Sequence, residues 1–204
     1  LIVFLLGMCL VGLIVYKTDA FEKEQRHTTA QLNAATYGER IKNEIVNGTE
    51  ITDTLEQILI SDDGTIKHFN TIAKNLMSDS IESVQLAPHG VVTDIYPAEG
   101  NEAGKIDLLH DKDRGEISCY ARDNHTVITQ GPFELKQGDY GIAVRNPVYL
   151  NDENGQEYFW GFTIVILRVP EIFSDSISAL SNFGYEYKLS KTDAPWSDTY
   201  EVVC

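Results

Sequence analysis

The run from Leu1 to Tyr16, LIVFLLGMCLVGLIVY, carries no charge. A continuous apolar run has no stable place on the surface of a water-soluble fold. It is either held in lipid or removed as the apolar core of a signal peptide. A complete span takes about 20 apolar residues. Because the sequence opens on Leu1 rather than Met, the run is expected to be the end of a longer span. No small-x-small cleavage site follows, only Tyr16-Lys17-Thr18-Asp19, which favours a membrane anchor over a cleaved signal. Tyr16 then sits at the interface. Residues after about 17 are expected on the extracellular or periplasmic side of a cell membrane.

The 204 residues hold 16 Lys plus Arg against 31 Asp plus Glu, a formal charge of -15. That charge repels phosphate and sets nucleic-acid binding aside. Hydrophobic residues make up 43%, enough for a packed core. Cys9, Cys119 and Cys204 make no disulfide framework. Asn47-Gly48-Thr49 and Asn124-His125-Thr126 match the glycosylation sequon, a pattern common by chance. Nothing in the sequence calls for a cofactor or a metal. Asp62-Asp63 lacks the spacing of a calcium loop and reads as a turn and helix cap.

Apolar spacing from Asp19 to about Asn47 predicts a helix, with Gly48 as its C-cap. A helix leaving a membrane with a narrow apolar stripe either pairs with a copy of itself or packs on its own domain, and both readings stay open. Thr52 or Asp53 opens a short helix through Leu59. A further helix over Thr65 to Met77 carries Ile66, Phe69, Ile72, Ala73 and Leu76 on one face. The period then changes. Ile81 to Ala87 and Val91 to Tyr96 read as strands joined at Pro88-His89-Gly90, with His89 a solvated turn residue. Pro97 to Glu102 is a loop.

The stretch from Asp113 to Tyr149 carries the densest information. Asp111 or Asp113 opens a helix to about Asp123, where the dipole favours acid. Thr126 to Thr129 reads as a strand, Gly131-Pro132 as a corner, and Phe133 to Leu135 as a short extended piece. Tyr140 to Tyr149 is a strand whose Pro147 suits an edge or a bulge. A loop at Asn151 to Gly155 leads to Tyr158 to Val169, the most apolar β run and the expected central strand. A helix from Pro170 to Phe183 closes at Gly184. Tyr185 to Leu189 and Tyr200 to Val203 read as further strands.

The order predicts an α+β fold. A long N-terminal helix, transmembrane end plus stalk, precedes a PAS-like five-stranded antiparallel sheet with helices. The start of a further small α/β unit follows. The expected divisions are 1–16 for the truncated span, 17–78 for the stalk helix and connector, 79–170 for the PAS-like subdomain, and 171–204 for the rest. Such a sheet can leave a small-molecule cavity under its helices.

An ordered set of short pieces resembles the CHASE domain, the extracellular sensory module of membrane histidine kinases and nucleotide cyclases. The pieces are Val84 to Val92 with Ile95-Tyr96-Pro97, Ile106 to Leu109, Asp113-Arg114, and Ile128 to Pro132 with Leu135. Gly138, Gly141, Pro147-Val148-Tyr149 and Phe159 to Phe162 complete them. The resemblance covers about Ile81 to Val169 well. Plant cytokinin receptors carry this domain, and Asp113 to Leu135 aligns with theirs without a gap. There the aspartate matching Asp113 binds the ligand's adenine ring. The position matching Leu135 gives main-chain contacts, and the threonine matching Thr129 lines the pocket. The resemblance therefore implies a ligand-sensing input domain for a cytoplasmic histidine kinase or diguanylate cyclase, working as a membrane-anchored homodimer. The ligand is an unidentified small molecule and need not be a cytokinin.

The candidate ligand-binding residues are Asp113, Thr129, Leu135, Tyr149 and Phe162, in a cavity between the sheet and the helix that starts at Asp113. Four of them have a plainer role beside it: Asp113 as a cap paired with Arg114 or Arg122, Thr129 as a strand residue, Tyr149 and Phe162 as core. Catalysis in this segment is not expected. Ser118 and Cys119 have no histidine at a catalytic offset, and Asp111 with Asp113 stands in solvent as a weak acid/base pair. The rival to a sensor is a ligand-free dimerisation ectodomain.

Overall fold

The computed structural model describes residues 2–99, 104, 106–135, 139–192 and 194–202. Expectations for Leu1, the loop from Gly100 to Glu102, Gly138, Val203 and Cys204 lie outside these residues.

Helix α1 runs Ile2–Ser61 without a break. Residues 2–29 are all exposed. From Ala30 onward burial recurs every three or four residues, at Asn33, Tyr37, Ile41, Ile45, Gly48, Thr52, Leu55 and Leu59. That is the single stripe of a helix laid against a layer. The expected stop at Gly48 and restart near Thr52 are therefore corrected. Gly48 lies inside the helix, on the face packed against the sheet. A Cβ there would meet Val144 Cγ2 at 3.1 Å and the Leu167 methyls at 3.4 Å. The missing side chain serves packing, and its helix-propensity cost, about 1 kcal/mol, is offset by that contact.

Two polar ties fix α1 on the sheet. Thr163 Oγ1 donates to the Thr52 carbonyl at 3.0 Å, with both residues fully buried. Asn146 Nδ2 donates to Asp53 Oδ1 at 3.0 Å and to Glu56 Oε2 at 2.9 Å. After Ser61 the chain turns through Gly64, whose carbonyl accepts from Trp160 Nε1 at 3.0 Å. Helix α2 spans Phe69–Leu76, four residues later than Thr65, because His68 takes a left-handed φ of 60°.

Strands β1 (Ile81–Pro88), β2 (Asp94–Tyr96), β3 (Ile128–Glu134), β4 (Tyr140–Asn151) and β5 (Glu157–Arg168) form one antiparallel sheet in the order β2-β1-β5-β4-β3. Val91 contributes only an isolated bridge to Asp107, so β2 is shorter than the sequence reading. β5 is central as expected, and both its faces are covered. Val165 and Leu167 meet α1, α2 and helix α4 (Val169–Asn182), while Phe162, Ile164 and Ile166 face helix α3 (Gly115–Asp123). A strand buried on both faces reads as an unbroken apolar run. Burying each large side chain contributes about 1.5–3 kcal/mol.

Pro147 sits where β3 has already ended, since β3 pairs with β4 only up to Arg145. Its missing N–H therefore faces no neighbour strand, and a register shift follows at Val148/Tyr149. Helix α4 (Val169–Asn182) lies beside α1, tied by Arg40 and Asp175 at 2.6 Å. The segment Tyr185 to Leu189, read as a strand, is irregular. It crosses α1 and α4 and gives Leu189 to the core. The small sheet begins one residue later, pairing β6 (Ser190–Thr192) with β7 (Tyr200–Val202).

Candidate ligand-binding site

β3 is an edge strand with a fault in its middle. Its pairing with β4 shifts register between Gln130 and Phe133, at Gly131-Pro132. Gly131 has φ 133°, and a Cβ there would stand 2.6 Å from the Gly141 carbonyl oxygen. The corner thus holds β3 tightly against β4 while leaving its outer side open.

A groove of about 590 Å³ runs along that outer side. One wall is Asp113 with Glu116, Ile117 and Tyr120 of α3. The floor is β3 from Ile128 to Pro132. Ile41 and Ile45 of α1, with Phe173 of α4, close the far side. Leu189 to Thr192 and Ala194 to Trp196 form the last wall. Its volume lies in the range of small-molecule sites, and its surface is more apolar than polar. Tyr120 and Trp196 meet across it with ring centroids 4.9 Å apart.

Asp113 is not the acid that organises the start of α3. Asp111 does this: its Oδ1 accepts from the N–H of Asp113 at 2.9 Å and of Arg114 at 3.0 Å. Its Oδ2 accepts from Arg114 Nη1 at 2.8 Å. Burial pushes the Asp111 carboxyl up, but the Asp113 N–H and the Arg114 charge outweigh it and hold the group below the ordinary value. Arg122 pairs with Asp123 at 2.7 Å. The Asp113 carboxylate stands open at the groove mouth, with Lys112 Nζ 3.9 Å away.

Gln130 links this rim to the interior. Its Nε2 donates to the Asp113 carbonyl at 2.9 Å, and its Oε1 accepts from Arg145 Nη1 at 2.6 Å. Arg145 is only 2% exposed. Burial is the main force lowering its pKa to about 9, joined by repulsion from Arg114 and partly opposed by Asp111.

Of the five residues singled out in the sequence, Asp113 and Thr129 line the groove together. Thr129 pairs with Val144 and so faces α1. Phe162 is fully buried on the opposite face, in the layer under α3. Tyr149 closes the C-terminal end of α3. Its hydroxyl donates to the Arg122 carbonyl, and its ring stacks on His125 at 3.9 Å. The chain of rings continues through Phe159 to Phe162 at 5.7 and 5.1 Å. Leu135 packs into the same layer against Gly141, and its N–H donates to the Asp139 carbonyl at 2.6 Å. Ala121, Ile128, Ala143 and Phe162 pack between α3 and the sheet, and the open volume of the groove lies at the β3 edge.

Sequence reasoning missed Gln130, Arg145 and Trp196. Arg145 had a readable mark: it is the one charge in the otherwise apolar and neutral Tyr140–Leu150 strand. Trp196 had none, for its place depends on how the chain after α4 folds back.

A family model of the CHASE domain matches residues 19–197. No curated protein matches the sequence. Solved structures similar to it include an extracellular ligand binding receptor from Desulfohalobium retbaense DSM5692, with 14% identity and a TM-score of 0.52. That alignment covers 70% of this chain and 26% of the receptor, so the chain spans about a quarter of its length. Another is the ligand binding domain of the Pseudomonas aeruginosa PAO1 amino acid chemoreceptor PctC in complex with GABA. It shares 16% identity at a TM-score of 0.52, over 80% of this chain and 68% of that one. These likenesses are of fold, a PAS-like sheet behind a long N-terminal helix.

Proposed function

The chain belongs to the CHASE domain family, and from that membership we propose that it is the extracellular or periplasmic input domain of a membrane receptor. The CHASE domain is a sensory and not a catalytic module, so this segment is non-enzymatic. In our reading the apolar start of α1 anchors the domain in a membrane. A small molecule occupies the β3 groove, and the signal passes down α1, within a homodimer, to a cytoplasmic histidine kinase or diguanylate cyclase.

The observation that carries this reading is the Asp113 carboxylate, free of any capping duty at the mouth of a largely apolar groove. An acceptor so placed selects ligands with an N–H donor, because its bond strengthens as water is excluded. Asp113 and Thr129 touch the ligand. Leu135, Tyr149 and Phe162 act from behind, holding β3 and α3 in place.

The test is a thermal-shift screen of small metabolites, followed by calorimetry with a compound that stabilises the protein. Losing a charge-assisted bond costs roughly 1.5–3 kcal/mol. Asp113→Asn is therefore expected to weaken binding about tenfold to a hundredfold with the melting temperature of the free protein unchanged. Equal affinity in the variant would remove Asp113 from the site. A screen with no stabilising compound would favour the ligand-free dimerisation ectodomain.

A further inference from the structure

Arg145 lies in the middle of β4, between Ile128 of β3 and Ile164 of β5 in the cross-strand register. Both neighbours are apolar and buried. Among the described residues its guanidinium has one hydrogen bond, to the neutral Gln130 amide, and its Nε is buried with no partner. Ser118 Oγ is also buried with no partner. Ser118 and Ala121 lie one turn apart on the buried face of α3, and Ala121 packs in the layer that holds Ala143, two residues before Arg145. Two polar atoms, Arg145 Nε and Ser118 Oγ, each on a side chain at least nine-tenths buried, thus lack a partner in the layer between α3 and the sheet.

The charges do not close either. Asp111 is the carboxylate that acts on Arg145, and it is already bonded to Arg114. Two cations against one anion leave a single positive charge. An uncompensated buried charge is strongly unfavourable, and an apolar side chain of similar volume would serve packing better. A planar guanidinium presents its donors as a fork that fits a carboxylate.

We propose that Arg145 anchors a carboxylate subsite beneath α3, with the Ser118 hydroxyl as a second donor, and that the ligand of the β3 groove places its carboxylate there. The proposal rests on the reading of the groove as a ligand site. Gln130 is the door. It lines the groove and bridges Asp113 to Arg145, so turning its side chain frees Nη1 and opens the way inward. The ligand class is then a small molecule with an N–H donor at one end and a carboxylate at the other.

The chain in lipid nanodiscs is titrated at constant ionic strength with acetate, butanoate and hexanoate, with the matching methyl esters, which carry neither charge nor N–H, and with inorganic phosphate. Thermal unfolding is the readout. The carboxylates are expected to raise the midpoint and the esters to leave it unchanged. Arg145→Met should abolish that response and, without added anion, melt no lower than the parent. Arg145→Lys keeps the charge but loses the fork, and should need about tenfold more carboxylate or beyond for half effect. Should Arg145→Met fail to fold, Arg145→Lys and Ser118→Ala decide the matter, both being expected to weaken the response. A parent indifferent to carboxylates, equal effects of acid and ester, a response to phosphate alone, or a response unchanged in the arginine variants overturns the subsite. A screened compound that binds through Asp113 without any carboxylate effect would leave the groove standing and remove the subsite. A carboxylate effect mapping to Arg145 with Asp113 irrelevant would do the reverse.

Discussion

Tyr120 and Trp196 bring their rings to 4.9 Å between centroids at an interplanar angle of 50°, one from α3 and the other from the loop between β6 and β7. This contact joins the five-stranded sheet's own helix to the small second sheet, and both rings line the β3 groove. A ligand in the groove therefore touches both units at once.

Trp196→Ala is expected to lower stability by about 0.5–1.5 kcal/mol beyond its area term. The loss should be local. Hydrogen exchange should quicken over Tyr185 to Val202 and stay unchanged in β4 and β5. Equal acceleration across the sheet would mean that the contact supports the whole fold.

Asp111 makes acid sensitivity a property of the start of α3. Its pKa is lowered in the folded state, so its contribution is present above the ordinary value of 3.8 and is lost as pH falls through the folded value. Asp111→Asn should cost about 1–3 kcal/mol at neutral pH through the lost charge-assisted bonds. The gap between parent and variant in urea unfolding should narrow as pH drops below 3.8. A gap constant down to acid pH would assign the cost to geometry instead of charge.

Among the described glycines, Gly161 leaves the least room for a side chain. It has φ 153°, and a Cβ would lie 2.1 Å from the Ala87 carbonyl oxygen and 2.7 Å from Pro88 Cα. Those are backbone atoms and cannot swing aside. Gly161→Ala should cost at least about 3 kcal/mol, read by denaturant midpoint. A loss under 1 kcal/mol, on the order of a surface change, would show that β1 and β5 can part there.

The stalk is tested by single cysteines from Leu32 to Ile45, placed in a Cys9→Ser, Cys119→Ser, Cys204→Ser background. The Tyr37, Ile41 and Ile45 stripe already packs on the protein's own α4 and core. Crosslinks to a second copy are expected every three to four residues on the remaining face, fading from Ile41 onward. Flat reactivity along the whole stretch would count against a parallel pair.

The strands were legible because their burial follows from the side chains alone. β5, covered on both sides, reads as FWGFTIVILR with hardly a polar residue. Gly48 was misread because a glycine after an amphipathic stretch signals either an end or a close approach, and only the position of Val144 and Leu167 decides between them. Asp113 and Thr129 were singled out through a resemblance, and the groove they both line depends on the chain after α4 folding back over β3. Arg145 shows the opposite case. Its oddity was written in the strand, yet its meaning depends on Ser118 and Gln130, which are distant in sequence.

The unbroken α1 also has a mechanical consequence. From Gly48, where it packs against the sheet, back to Ile2 there are 46 residue steps of continuous helix. At about 1.5 Å of rise each this is a rod of roughly 69 Å. A rod of that length turns angle into distance: tilting it by about one degree at Gly48 displaces its far end by roughly 1.2 Å. Closing a groove against Ile41 and Ile45 by a fraction of an ångström acts near the fulcrum of that lever, and the larger stroke is delivered at the opposite end.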